Sequence, residues 1–358
     1  MPEEPASISS KDSAFGLLQQ QFREQYCEIF DDHLAPRSII VIPSLTLDQQ
    51  ILSKIKGHFY YEERMLCMLM LLKMPATKLT FVTSVPISPI IVDYYLHFLP
   101  GITAHHSKQR LTMLSCYDAG NVALTDKVLR RPRLIKRIKN SIQGNPAHLV
   151  FFNVTESEKQ LALQLDVPIY GCDPGLNWLG TKSGSRELFR QSGIPLPDGY
   201  ENLTTEEDIV EALFRLKLQN QELARAVIKM ENGFSGDGNA VFSYKNAPAD
   251  TRHLRSWLSE NLSKNLKIVA RKLSYTKFIN KFIKTGGIVE EFIDGGKLVT
   301  SPSVQVRINP CGEIKIISTH DQVLGGESGQ VYLGATFPAD LNYDPTTGRV
   351  SSRTYPQH

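Results

Sequence analysis

VIKMENGFSGDGNAVF, residues 227–242, decides how the rest of the chain is read. Two short apolar, β-branched runs flank a loop with glycines at 233, 236 and 238, which predicts a strand, a turn and a returning strand. The first strand presents Lys229. Glycines let backbone N–H groups come close to phosphate oxygens, and a lysine on the adjacent strand offsets their charge. Read alone, the stretch is either such a cradle or a plain glycine-rich hairpin.

Two neighbours in the sequence bear on that choice. Downstream, GIVEEFIDGG (287–296) reads as a strand that ends in two acids, an aromatic and an aliphatic residue. Such a strand can give backbone groups and a carboxylate to an adenine amino group, or it can be an edge strand with exposed acids. Upstream, TKSGSRELFRQSGIPLP (181–197) places Lys182 at the head of a helix that a Gly-Ile-Pro stop ends. From residue 225 onward the pattern predicts antiparallel strands with glycine turns and short helices.

The first half has a different rhythm. SIIVIP (38–43), KLTFVTS (78–84), RLTMLSC (110–116) and HLVFFNV (148–154) read as buried strands. Helical stretches at 60–74, 88–99, 125–143 and 155–165 separate them, with a further short strand at VPIYG. This alternation predicts a parallel sheet with helices on its faces, a Rossmann-like domain. IPSLTLD follows the first strand where a dinucleotide site would need Gly-x-Gly-x-x-Gly, and GTKS (180–183) is one residue too long for a phosphate loop. The domain is therefore read as a support. The basic run RRPRLIKRIK (130–139) has Leu134, Ile135 and Ile138 at helical spacing, the mark of an amphipathic helix.

Composition closes off other classes. Forty basic and thirty-seven acidic residues leave a net charge of +3, which argues against a nucleic-acid or polybasic membrane binder. The longest apolar run is far short of the about 20 residues that cross a bilayer. Five scattered cysteines with no close spacing predict reduced, cytosolic and mostly buried thiols and no zinc site. The polar start, residues 1–14, predicts disorder.

Lys182 with GIPLP, then the Lys229 strand and its glycine loop, then Glu-Glu-Phe-Ile, in that order and at those intervals, resembles the ATP-grasp family. HFYYEERMLCMLMLLKMP, TKSGSRELF, SPSVQVRINPCGEI and STHDQVLGGESGQVYLGATFPAD sharpen the resemblance. Those segments look like the pheganomycin-type peptide ligases and the ATP-grasp region of IQ-motif-containing protein H. The resemblance implies an α/β fold, with a Rossmann-like pre-ATP-grasp domain over 15–174. An α+β ATP-grasp domain of two lobes over 175–340 follows, the second lobe incomplete, and then an irregular tail over 341–358. It implies that ATP is bound and that a carboxylate is joined to an amine, on an amino acid or a peptide, through an acyl phosphate.

The same resemblance assigns residues. Lys182 and Lys229 match the nucleotide-contacting lysines, and Gly233, Ser235, Gly236, Asp237 and Gly238 match the loop over the phosphates. Glu290, Glu291, Phe292 and Ile293 match the adenine hinge. Arg307, His320, Asp321 and Gln322 lie where this branch contacts the acyl or phosphate end, although Arg307 alternates with Gln305 and also reads as a solvated strand residue. Magnesium is expected for the family, but its late acidic ligands have no counterpart in PTTGRVSSRTYPQH (345–358), which predicts impaired catalysis in a truncated product. No Ile-Gln-x-x-x-Arg motif for calmodulin stands in the chain. A cytoplasmic or flagellar setting is the implied location, and a non-catalytic interaction module is the alternative reading.

Overall fold

The computed structural model describes residues 10–29, 31–47, 52, 55–142, 144–231, 238–270, 273–293, 300–325 and 331–340. Cα packing divides the chain into two units. The first holds Met1–Gly175 with Ile308–Glu313, and the second holds Leu176–Arg307 with Ile314–His358.

In the first unit helix α1 (Ser10–Ile29) precedes strand β1 (Arg37–Ile42), and a 3-10 segment (His58–Lys73) leads to β2 (Thr77–Thr83). Next come α2 (Pro89–Leu96), α3 (Ala104–Lys108), β3 (Leu111–Ser115), α4 (Leu124–Leu129), α5 (Pro132–Ile142), β4 (Ala147–Phe151) and α6 (Glu156–Leu165). The four strands form a parallel sheet in the order β3-β2-β1-β4.

The run of isoleucine and valine in β1 shows why this sheet is covered on both sides. Ile39 and Val41 join the cluster of Leu66, Leu69, Leu79, Phe81 and Leu96. Ile40 and Ile42 point the other way, into a cluster with Val128, Leu134, Ile138, Leu161 and Leu165. A strand buried on both faces carries no polar alternation, which is how the sequence reads.

The crevice at the carboxyl end of the sheet, between β1 and β4, is where an open α/β sheet usually takes a dinucleotide. Here the protein fills it with its own polar groups. The Thr46 N–H donates to Asn153 Oδ1 at 2.9 Å, Asn153 Nδ2 donates back to the Thr46 carbonyl at 2.8 Å, and the Thr46 hydroxyl donates to Glu158 at 2.5 Å.

Several expectations for this unit need correction. The single helix expected over 125–143 is two, because Pro132 cannot donate to a preceding turn and instead starts α5. VPIYG contributes only one isolated bridge, Leu149 to Ile169. Helix α1 starts at Ser10, inside the stretch expected to be disordered, where Asp12 is drawn to Lys159 at 2.6 Å and Phe15 is fully buried. The cysteines are not all reduced or mostly buried: Cys27 is bonded to Cys311, Cys67 and Cys172 are exposed, and Cys116 is buried. The Cα atoms of Cys27 and Cys311 lie 5.7 Å apart across a separation of 284 residues, a proximity that spacing along the chain does not reveal.

A 3-10 turn (Pro174–Gly180) carries the chain from the first unit into the second, where α7 (Lys182–Gln191) follows. It continues through β5 (Gly199–Leu203), α8 (Glu206–Gln219), β6 (Arg225–Met230), β7 (Asn239–Ser243), α9 (Thr251–Asn265), β8 (Leu266–Ile268), α10 (Tyr275–Thr285) and β9 (Gly287–Glu291). The strands β5-β9-β6-β7-β8 form a five-stranded antiparallel sheet. A second sheet of three strands follows: β10 (Pro302–Ile308), β11 (Ile314–Gly325) and β12 (Val331–Thr336).

Helix α8 starts on a Thr-x-x-Asp cap. The Thr205 hydroxyl accepts from the Asp208 N–H at 3.0 Å while the Asp208 carboxylate accepts from the Thr205 N–H at 2.8 Å, a reciprocal cap. Leu213 and Leu216 of α8, Leu254, Leu258 and Leu262 of α9, and Phe278 and Phe282 of α10 cover one face of the five-stranded sheet.

Candidate functional site

Pairing register settles which side of that sheet each strand residue occupies. Ala226, Ile228, Met230, Ala240, Phe242 and Val289 face the helical core. The alternate residues point the other way. Val227 stands opposite both Val241 and Glu290, and Lys229 stands opposite both Asn239 and Ile288. Val227, Val241 and Ile288 are buried, so this face has an apolar floor with one lysine at its end.

Lys229 does not stand alone. Its ammonium is in contact with Glu290 Oε1, and Arg186 Nη1 donates to Glu290 Oε2 at 2.9 Å. Arg186 Nε reaches Glu201 at 3.2 Å, and Glu201 also meets Arg190. Arg186 and Glu290 are buried, whereas the Lys229 side chain keeps 23 % of its exposure. Three cations and two carboxylates thus form one chain, with Lys229 at its sheet end and the 53 % exposed Arg190 at its other end. Buried charges of this kind persist only when each has a partner.

Helix α7 delivers the arginines. The Thr181 hydroxyl caps it by accepting from the Gly184 N–H at 3.0 Å, and Lys182 is its first residue. Lys182, Arg186 and Arg190 then follow at four-residue steps, which keeps them on one face of the helix. Gly184 is required where it stands: a Cβ there would lie 2.0 Å from the Trp178 carbonyl oxygen. The Ser183 N–H donates to Glu231 Oε2 at 3.0 Å, and the Ser183 hydroxyl also contacts Glu231. Glu231 follows directly on β6, so it ties the start of α7 to the root of the glycine loop.

The structure brings some of the expected site residues together and leaves others apart. Lys229 and Glu290 touch, and Gly238 closes the far side of the loop by accepting the Met230 N–H at 3.0 Å. Gly233, Ser235, Gly236 and Asp237 lie outside the described residues. The Glu290 carboxylate serves the two cations. Glu291 pairs through its backbone with Asp198, the Arg225 guanidinium lies 4.1 Å from the Phe292 ring centre, and Ile293 is 47 % exposed.

The three-stranded sheet holds the remaining candidates. Arg307 is exposed on β10, and His320 packs its ring 5.7 Å from Phe337. The Gln322 N–H donates to the Ser301 carbonyl at 2.9 Å, and Asp321 Oδ2 accepts from the Asp340 N–H at 2.8 Å. His320, Asp321 and Gln322 are thus tied to their own sheet and its margins.

Sequence reading missed Arg186, Glu201 and Glu231. The signal was present for the first, in the four-residue step from Lys182. Among the described residues no group of three or more His, Cys, Asp or Glu side chains could hold a metal ion. Among the described residues no helix is long and apolar enough to cross a membrane.

Comparison with known proteins bears on the same elements. Residues 176–256, from the turn before α7 to the middle of α9, match the family described as IQCH-like, ATP-grasp. The chain is 27 % identical over 346 residues to IQ motif-containing protein H of Danio rerio, covering 85 % of this chain and 32 % of that protein. It is 28 % identical over 325 residues to the L-propargylglycine–L-glutamate ligase of Streptantibioticus cattleyicolor, covering 88 % and 64 %. The chain thus spans about a third of the first relative and less than two thirds of the second. D-alanyl-alanine synthetase A of Vibrio cholerae superposes with a TM-score of 0.39 at 8 % identity, over 87 % of this chain and 77 % of that one, too loosely to add weight. The matched segment holds the lysine-bearing helix α7 and strand β6: over residues 176–256 the chain is similar to the IQCH-like, ATP-grasp family, and over most of its length it is similar both to an L-propargylglycine–L-glutamate ligase and to IQ motif-containing protein H.

Proposed function

We propose that this chain binds ATP on the face of the five-stranded sheet that points away from α8, α9 and α10, as the nucleotide-binding part of a carboxylate–amine ligase. The observation that carries the reading is the Lys229 ammonium. It sits at the root of the glycine loop, beside an apolar floor, and is held by a carboxylate that Arg186 fixes from the other side. Val227, Val241 and Ile288 would underlie the base, Lys229 and Lys182 would meet the phosphates, and the backbone around Gly238 would border them. In such ligases a carboxylate attacks the γ-phosphate and an amine then displaces phosphate from the acyl phosphate. Phosphoryl transfer of this kind depends mainly on positioning and on neutralising charge. The residues of this chain supply the positioning and part of the positive charge.

A second reading keeps the nucleotide site without turnover, in a regulatory or interaction module of a cytoplasmic or flagellar assembly. The match to IQ motif-containing protein H over 85 % of this chain favours it. Two measurements separate the readings. A thermal shift with ATP but not with adenosine is expected under both. Release of ADP in the presence of amino acids or short peptides is expected only under the first. No shift with ATP would defeat both.

A further inference from the structure

Helix α5 of the first unit buries one side and charges the other. Leu134 and Ile138 join the core cluster with Ile40 and Val128, so the apolar side is used up inside the unit. Arg130, just past α4, and Arg133, Lys136, Arg137 and Lys139 of α5 are exposed. Arg131 between them is drawn to Asp118 at 2.8 Å, but among the described residues none of those five cations has an acidic partner. No acid stands in the chain between Asp126 and Glu156 to supply one locally.

Stability does not account for this choice of residues. Arg133 and Arg137 are four residues apart, and Arg133 with Lys136 and Lys136 with Lys139 are three apart, separations at which like charges repel on a helix. Arg133 also stands in the first turn of α5, where the helix dipole disfavours a cation. Arg215 and Arg255 of the second unit, by contrast, share Glu211. A local rule broken with no gain inside the fold marks a surface that gains from something outside it.

A cavity of about 560 Å³ adjoins the end of this charged side. Lys139 lines it, Leu18, Leu165 and Val167 give it an apolar wall, and Gln25 adds an amide. Asp166 lines it too and opposes a phosphate there. Such a wall suits an apolar side chain of a peptide. The same helix turns away other polyanions. It exposes no aromatic ring on which a base could stack, and its buried apolar side cannot enter a bilayer.

We infer that the exposed side of α5 and the cavity beside Lys139 form a docking surface for an acidic segment of a partner protein. Carboxylates of the segment meet Arg133, Lys136 and Arg137, and an apolar side chain between them enters the cavity. A guanidinium donates in parallel to both oxygens of a carboxylate, which suits the arginines to this task. The surface lies within the first unit and stands whether or not the chain binds ATP.

The probe is a fluorescein-labelled peptide of four Leu-Glu-Glu-Glu repeats, titrated with the full chain and followed by fluorescence anisotropy. Saturable binding that weakens as salt is raised is expected. Arg133→Gln, Lys136→Gln and Arg137→Gln together are expected to weaken it at least about fivefold. Lys277→Gln, Lys281→Gln and Lys284→Gln together, all exposed on α10, change the net charge equally and are expected to leave binding unchanged. A peptide of Ser-Glu-Glu-Glu repeats is expected to bind more weakly than the leucine peptide. No binding, the same loss in both triple variants, or equal affinity for the two peptides overturns the assignment. Tighter binding of a uridine oligonucleotide, or of vesicles of equal parts phosphatidylcholine and phosphatidylserine, through the same three residues overturns it as well.

Discussion

Lys229 and Glu290 meet diagonally across β6 and β9, on the side of the sheet away from the helical core, and Arg186 holds the other carboxylate oxygen of Glu290 at 2.9 Å. The contact gives Lys229 a fixed position before any ligand arrives. It also neutralises the carboxylate of Glu290, a residue that sequence reading gave to the adenine hinge.

That arrangement sets a stability expectation. Removing one partner of a buried ion pair leaves the other charge uncompensated, at a cost of about 3–5 kcal/mol. Glu290→Ala is expected to lose an amount in that range in urea unfolding. Adding Arg186→Met should recover much of the loss, because the stranded guanidinium is then gone. Equal stability of wild type and Glu290→Ala would contradict the burial of the pair.

Backbone approach makes a second expectation. At Gly287 a Cβ would lie 2.4 Å from the Lys229 carbonyl oxygen and 2.3 Å from the Phe282 ring. Gly287→Ala must therefore push β9 away from β6 or displace Phe282 from the core. A loss of about 1–3 kcal/mol is expected from overpacking of this kind, with weaker nucleotide binding because Glu290 moves with the strand. Gly101→Ala is the comparison: nothing lies within 4 Å of its Cβ position, so only the strain of its φ of 72° is added.

The first unit offers a pH test. Glu62 is 5 % exposed and accepts the Ser84 N–H at 2.6 Å, and burial pushes its carboxyl up to about 7 from an ordinary 4.5. Ser84 and the nearby Lys127 oppose that rise without cancelling it. A carboxyl that titrates higher in the folded state favours folding most below the unfolded pKa. The contribution falls as pH rises from 4.5 to about 7 and is then gone. Over that window the stability of wild type minus that of Glu62→Gln is expected to fall by up to about 3 kcal/mol. A difference that stays flat across the window would show that Glu62 is charged throughout.

The outline of both units was legible in the sequence because burial writes itself into periodicity. The isoleucines and valines of β1 and the β-branched runs on either side of the glycine loop each report a strand. Lys182 and Lys229 were legible as charges at the ends of such elements. The partners of Lys229 were not. Glu290 was visible as an acid on a strand, but its neighbours depend on the β6–β9 register and on α7 crossing to reach it, which no local pattern encodes. The bond between Cys27 and Cys311 was hidden for the same reason, since only the folded chain brings them together.

The central claim is that Lys229 holds nucleotide phosphate on this sheet. Calorimetric titration of wild type and Lys229→Ala with ATP tests it, with circular dichroism to establish that the variant is folded. Saturable binding by wild type, weakened at least about tenfold in the variant, is the expected result, since a lost hydrogen bond to a charged group is worth about 1.5–3 kcal/mol. Equal affinity in the two proteins, or no binding by wild type, would contradict it.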